Sequence, residues 1–430
     1  MRNIIYLSIC LTLSLSSNLR FLPSETNTYN YSNIKATYTN TNSSNEVLAS
    51  TTSDESFIYV SNSNYVGEYS GNATKTGDAS NLENSKYYGV NSAFLVNKAK
   101  GQLRNFNITT NAVGSHAVCS VNDAEVILNN SKLETTKDNL SAFVSNYGRK
   151  IEGHYFLITT DGKQSPCLFT DMKGGSISLS YGRMRSNGAE SPIFYNSGNT
   201  INVNKINTSS YESQSIVLES GHINLEHSHM RSTCKGSNND DGFVVMFSKT
   251  KADTSFTAGN SSFFNLGGND KPFLYVTNTK AKINMDNCIF QNESGTFLNA
   301  SGNGNGWGTQ KENGAEVELN LVNQKIESDL VVDSISQLTI IMKNSTIKGK
   351  INNAKTAAAL DIILDASSSI ELTGNSYYTS LNNENTTGNN INKNNYEFGQ
   401  YNENFTIVKS NSKNINPFKL IIFALLVVLF

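Results

Sequence analysis

Three short stretches of this chain carry residue types able to do chemistry. Asn239-Asp240-Asp241-Gly242 sets two carboxylates side by side. Paired carboxylates serve as acid and base at a glycosidic bond. His222-Ile-Asn-Leu-Glu-His-Ser-His gathers His222, His227 and His229 with Glu226. Imidazoles and a carboxylate are zinc ligands when they converge, but this spacing spans a strand and a turn. Gly302-Asn-Gly-Asn-Gly-Trp-Gly holds Trp307, the one tryptophan of the chain. An exposed indole there would stack on a sugar ring; otherwise it pins the insertion onto the body of the protein. Each stretch also has a plainer reading: a loop between repeats for Asp240 and Asp241, and exposed histidines on a polar face. No P-loop, dinucleotide fingerprint or nucleophile elbow occurs. The sequence therefore implies no cofactor and no resident metal.

The elements that must position these residues show themselves by repetition. Ser92-Ala-Phe-Leu-Val-Asn, His116-Ala-Val-Cys-Ser-Val, Ser141-Ala-Phe-Val-Ser-Asn, Ser165-Pro-Cys-Leu-Phe-Thr and Ser191-Pro-Ile-Phe-Tyr-Asn are variants of one block. It continues from Gln214, Gly242, Pro272 and Gly295, with starts 23 to 30 residues apart. That period belongs to solenoids, whose repeats bury their apolar faces only by stacking. A second, alternating strand follows in each unit, as in Glu125-Val-Ile-Leu, Ser176-Ile-Ser-Leu, Ile201-Asn-Val and Ile283-Asn-Met. Alternation buries one face and wets the other. A third apolar position follows at Leu133, Met184, Ile206, Met230 and Ile289. Clusters of Asn, Gly, Ser and Asp between them are turn formers.

The expected fold is all-β: a right-handed parallel β-helix with coils of about 24 residues, with a β-sandwich as the alternative. Phe94, Val118, Phe143, Ile193, Ile216, Val244 and Leu274 occupy the same slot or its neighbour, and should stack coil above coil. Closely spaced strands from Glu316 to Leu372 predict tighter final coils and a cap, since an open end exposes unpaired backbone.

The ends read as processing segments. Arg2, the apolar run Ile4 to Leu15 and the small residues Ser14, Ser16 and Ser17 form a signal-peptide pattern over residues 1–17. Residues 18–55 and 376–412 are rich in Asn, Ser and Thr and predict a poorly ordered arm and a polar stalk flanking a β-helix over 56–375. Ser410, Asn411 and Ser412, then a spacer, then the apolar run Leu420 to Phe430, match the layout of a signal for attachment of a glycosylphosphatidylinositol (GPI) lipid over 413–430. Sequons at Asn72, Asn107, Asn129, Asn139, Asn207, Asn260, Asn292, Asn299 and Asn344 would be N-glycosylated in an exported chain. Cys119, Cys167, Cys234 and Cys288 remain after Cys10 leaves with the leader; none forms a CxxC, and disulfides and free buried thiols are both open. A net charge of −2 gives no strong pull on nucleic acid or anionic lipid.

Asp329-Leu-Val-Val-Asp-Ser-Ile-Ser-Gln-Leu-Thr-Ile-Ile-Met-Lys-Asn-Ser-Thr-Ile-Lys-Gly-Lys-Ile-Asn, with Leu364-Asp-Ala-Ser-Ser-Ser-Ile-Glu-Leu-Thr-Gly-Asn-Ser-Tyr, resembles the C-terminal coils of adhesin-like, pectate-lyase-like β-helix surface proteins. The resemblance implies a surface adhesin or coat protein without catalytic activity. Its partners would be glycans or neighbour-cell surface molecules, and its hold on the membrane a lipid anchor. β-Helices of this kind also host polysaccharide lyases and glycoside hydrolases, so an enzyme on the same scaffold is the rival expectation. The Asp240-Asp241 segment resembles the acidic motif of polygalacturonases, but Gly221-His222 precedes it and no Arg-x-Lys follows.

Overall fold

A computed structural model describes residues 29–401 except 62–65, 140, 148–149, 172–174, 235–240, 269–270 and 305. The chain winds into a parallel β-solenoid of about 13 turns. A short strand opens each central coil, as in Phe94–Asn97, and a long strand follows, as in Lys100–Thr110. The long strand bends midway, so each coil has three faces. Every inter-coil strand pairing among the described residues is parallel, and most run in unbroken register. Lys150 to Thr160, for example, pair rung for rung with Ser176 to Ser186. A sandwich would require antiparallel neighbours, so that alternative is excluded.

The inward side chains of the short strands stack as expected. Ile58, Phe94, Val118, Phe143, Leu168, Phe194, Ile216, Val244, Leu274, Leu298 and Leu330 are register partners on successive rungs. The register places Phe194 in this column and Ile193 one residue before it; both are buried. Burying each such side chain stabilises by roughly 1.5–3 kcal/mol, and no coil achieves it alone.

The outward side of the short strands is apolar too. Leu95, Cys119, Val144, Phe169, Tyr195, Val217, Val245 and Tyr275 form a second, thinner core. Tyr31 and Ile34 pack against it, and helix α1 (Leu82–Tyr88) lies across it. Asn81 caps α1 by accepting from the Asn84 amide, and Gly89 ends it at φ +71°. Lys86 on this helix lays its ammonium 5.2 Å from the Phe169 ring centroid.

Two boundaries differ from expectation. Residues 35–50, expected to be part of a poorly ordered arm, form strands Lys35–Thr39 and Ser43–Ser50, which pair with Glu55–Val60 and Val66–Lys75. The start of the expected stalk, residues 376–400, forms four short strands that continue the solenoid beyond Leu372. In both segments small or polar residues take inward positions, Ser50 and Ser376 among them, so the apolar period fades while the hydrogen-bond ladder persists.

Candidate functional site

The bend in the long strand recurs at one place in every central coil. Asn105, Asn130, Tyr155, Tyr181, Lys205, His227, Asn260, Asn287, Asn323 and Asn344 occupy it, all with left-handed backbone, φ between +46° and +56°. Asparagine suits this conformation because its short polar side chain bonds locally. The asparagines form ladders: Asn130 Nδ2 donates to Asn105 Oδ1 at 2.6 Å, and Asn287 to Asn260 at 2.8 Å.

Four consecutive coils break this rule. Tyr155 and Tyr181 stack at the corner, with ring centroids 5.3 Å apart and planes 23° apart. Both are open to solvent, at 62% and 45% of their surface. Lys205 on the next rung donates to the Tyr181 hydroxyl at 3.2 Å, with its ammonium 5.0 Å from the ring centroid. A bulky side chain in the left-handed region costs roughly 1–2 kcal/mol. These coils carry that strain on successive rungs, where asparagine would relieve it.

These side chains form one wall of a trough of about 550 Å³. Its floor is the outward column beside the bend: Asn107, Lys132, Leu157, Arg183 and Asn207 on successive rungs. At about 4.8 Å per rung, the trough runs roughly 19 Å along the solenoid axis. Leu157 is 40% exposed and gives the floor an apolar centre. Gly182 leaves room beneath it, since a Cβ there would run into the Phe156 ring on the neighbouring rung. Stacked aromatic rings, an apolar floor and flanking amides and cations suit a polar ligand with apolar ring faces.

The residues singled out in the sequence lie elsewhere. Asp241 is buried, accepting from Gln214 Nε2 and the Gly242 amide, both at 2.7 Å. It holds two coils together; Asp240 lies outside the described residues. His222 and His229 each meet a serine hydroxyl of the next coil, at 2.7 and 2.8 Å. His227 stands 3.3 Å from Glu226 at the bend. The three imidazoles do not converge, and no metal-binding group occurs among the described residues.

Trp307 takes the plainer of its two expected places, against the body of the protein. It is only 6% exposed, stacked on Phe247 with centroids 4.0 Å apart and planes 11° apart. Asn303 and Asn313 both donate to its carbonyl, at 3.0 Å each. The apolar outer side of the short strands attracts the indole, so Trp307 fastens its loop and is closed to sugar.

Cys119, Cys167 and Cys288 carry free thiols, and these three and Cys234 are all buried. Of the sequons, Asn72, Asn107, Asn207, Asn260 and Asn344 stand exposed on the coils. Asn129, Asn139 and Asn299 are half-buried. Asn292 is half-buried too, and its amide is committed to the Thr296 carbonyl at 2.7 Å. The leader, Ser410 to Ser412 and the apolar terminus lie outside the described residues.

A second polar cluster lies under α1. Tyr195 donates to Glu219 Oε2 at 2.9 Å, and Lys249 pairs with Glu219 Oε1 at 3.1 Å. Burial pushes Lys86 down to about 7, against the pull of nearby Asp171 and Glu219. Tyr195 and Glu219 are largely covered, so the arrangement reads as a latch between helix and solenoid rather than a cleft. The trough, by contrast, escaped the sequence reading. Its signal was present: aligning the coils on their turn asparagines exposes Tyr155 and Tyr181 as the exceptions.

The fold and the trough define a parallel β-solenoid with an axial groove on one corner. Comparison with protein family models, with curated proteins and with solved structures finds no match for this chain.

Proposed function

We propose that this chain is a non-enzymatic surface protein, adhesin-like, that holds an extended glycan in the trough beside Tyr155 and Tyr181. The observation that carries the reading is the interruption of the asparagine corner by two stacked, exposed tyrosines and a lysine above an open groove. A sugar ring offers C–H bonds to an aromatic face and hydroxyls to Arg183. Export and lipid anchorage, as the terminal segments lead one to expect, would display the trough on a cell surface. A glycan array probed with the mature chain tests the reading: ligands retained by the native protein and lost by Tyr155→Asn/Tyr181→Asn support it. Equal retention by the variant refutes it.

The rival, a carbohydrate-active enzyme on the same scaffold, draws on the Asp171, Glu219, Lys86 and Lys249 cluster. Turnover of a polysaccharide that disappears in Glu219→Gln, with folding preserved, would favour it. Cleavage lost in Asp240→Ala/Asp241→Ala would favour the acidic loop instead.

A further inference from the structure

The charges that line the trough itself are of one sign. Its lining holds Lys132, Arg183 and Lys205 and no carboxylate. Glu134, two residues along the same face, takes up Lys132 at 2.7 Å. Lys205 is turned toward the Tyr181 hydroxyl, a neutral group that leaves its charge uncompensated. Arg183 is exposed and makes no ion pair among the described residues. Arg185 and Arg231 continue the same outward face beyond the floor, and Arg185 lies 4.7 Å from the Tyr211 ring centroid. The chain as a whole carries −2, so this corner is positive against the background of the molecule. Cations grouped in a concave surface concentrate an anionic ligand. A guanidinium left unpaired is suited to a carboxylate or sulfate, which it meets with two parallel hydrogen bonds.

Building on the glycan reading, we infer that the ligand of the trough is a polyanionic glycan, an extended chain bearing carboxylate or sulfate groups. Its ring faces lie against Tyr155 and Leu157, and its anionic groups meet Arg183 and Lys132, the latter giving up its exposed surface pair with Glu134. The floor column sets these two cations on either side of Leu157. They are thus about 9.6 Å apart along the axis, two rungs of about 4.8 Å. That spacing fits a chain charged at intervals rather than a single compact anion. Single-stranded nucleic acid shares the aromatic-plus-basic requirement. Three cations over five coils, however, are few for a phosphate at every nucleotide.

Calorimetry on the full chain with four probes decides the matter: neutral maltohexaose, a hyaluronan hexasaccharide, a chondroitin sulfate hexasaccharide and a thymidine oligonucleotide. The acidic sugars should bind about tenfold or more tighter than the neutral one, a gap of about 1.4 kcal/mol. The gap should shrink in high salt. A preference for sulfated over carboxylate-only sugar, or the reverse, identifies the anion. Arg183→Gln with Lys132→Gln should close the gap, by weakening the acidic sugars more than the neutral one. Tyr155→Asn should weaken all sugars alike. If neutral sugar binds as well as acidic, or the gap survives the double charge variant, the polyanion inference falls while the glycan reading stands. If only the oligonucleotide binds, or no sugar does, both fall.

Discussion

Tyr155 and Tyr181 stack ring on ring at two consecutive bends, at φ of +54° and +56°, where six of the ten coils place asparagine. Two opposing effects govern their replacement. Tyr→Asn relieves left-handed strain of roughly 1–2 kcal/mol and loses a ring pair of about 0.5–1.5 kcal/mol. Each substitution should therefore leave stability within about 1 kcal/mol of the native protein. Tyr155→Asn would also extend the ladder from Asn130. Urea melts check this alongside binding: a folded, equally stable variant with sugar affinity down about tenfold is the expected pair of results. A variant that binds normally, or unfolds, counts against a functional role for the rings.

Trp307 predicts the reverse pattern. Its indole fastens the loop through Phe247, at a distance from the trough in sequence and on another side of the coil. Trp307→Ala should destabilise by about 3 kcal/mol, chiefly by freeing the loop. Proteolysis and hydrogen exchange should rise between residues 301 and 314 while sugar affinity stays unchanged. Loss of sugar binding with the loop still protected would restore Trp307 as a ligand contact.

The solenoid was legible because its core repeats: Phe94, Val118 and Phe143 announce the column from a single strand per coil. The ends were not, because the ladder needs only backbone, and inward Ser50 and Ser376 leave no apolar signature. Helix α1 was missed for a different reason. Its seven residues are held by contact with the outer core rather than by an amphipathic period of their own. The trough depends on one corner residue per coil, which becomes visible only once the register is known. Trp307 shows the limit of composition: glycines around an indole predict a loop, and not which way the ring turns.

The cysteines follow from burial. Desolvation pushes Cys119 and Cys167 up to about 12 and Cys288 up to about 11, and a thiol held neutral is a poor nucleophile. None of these three should react with a disulfide reagent at pH 8 in the native protein. All should react in urea, at a rate set by unfolding. Fast native labelling of Cys119 would mean that the outer core opens readily beneath α1.

His116 sets an acid limit on the fold. Its Nδ1 accepts from the Ser141 amide at 2.9 Å, which leaves Nε2 as the donor to the Ser85 carbonyl at 3.1 Å. The ring thus ties α1 to the coil in its neutral form. Desolvation, chiefly, pushes it down to about 4, with the Lys86 charge acting the same way and the hydrogen bonds to Ser85 and Ser141 opposing. Protonating Nδ1 would set a donor against the Ser141 donor inside the protein. Between pH 6.5 and 4 the unfolded chain therefore binds the proton that the folded chain refuses. Stability from this group is complete above pH 6.5 and declines as pH falls, by about 3 kcal/mol near pH 4. Carboxylates add their own acid dependence, so the comparison that isolates the imidazole is with His116→Gln. That variant should be less stable at pH 7, where the Ser141 amide loses its acceptor, and the two stability curves should converge toward pH 4. Parallel curves across this range, measured by urea melts, would show that His116 is not the group that fails.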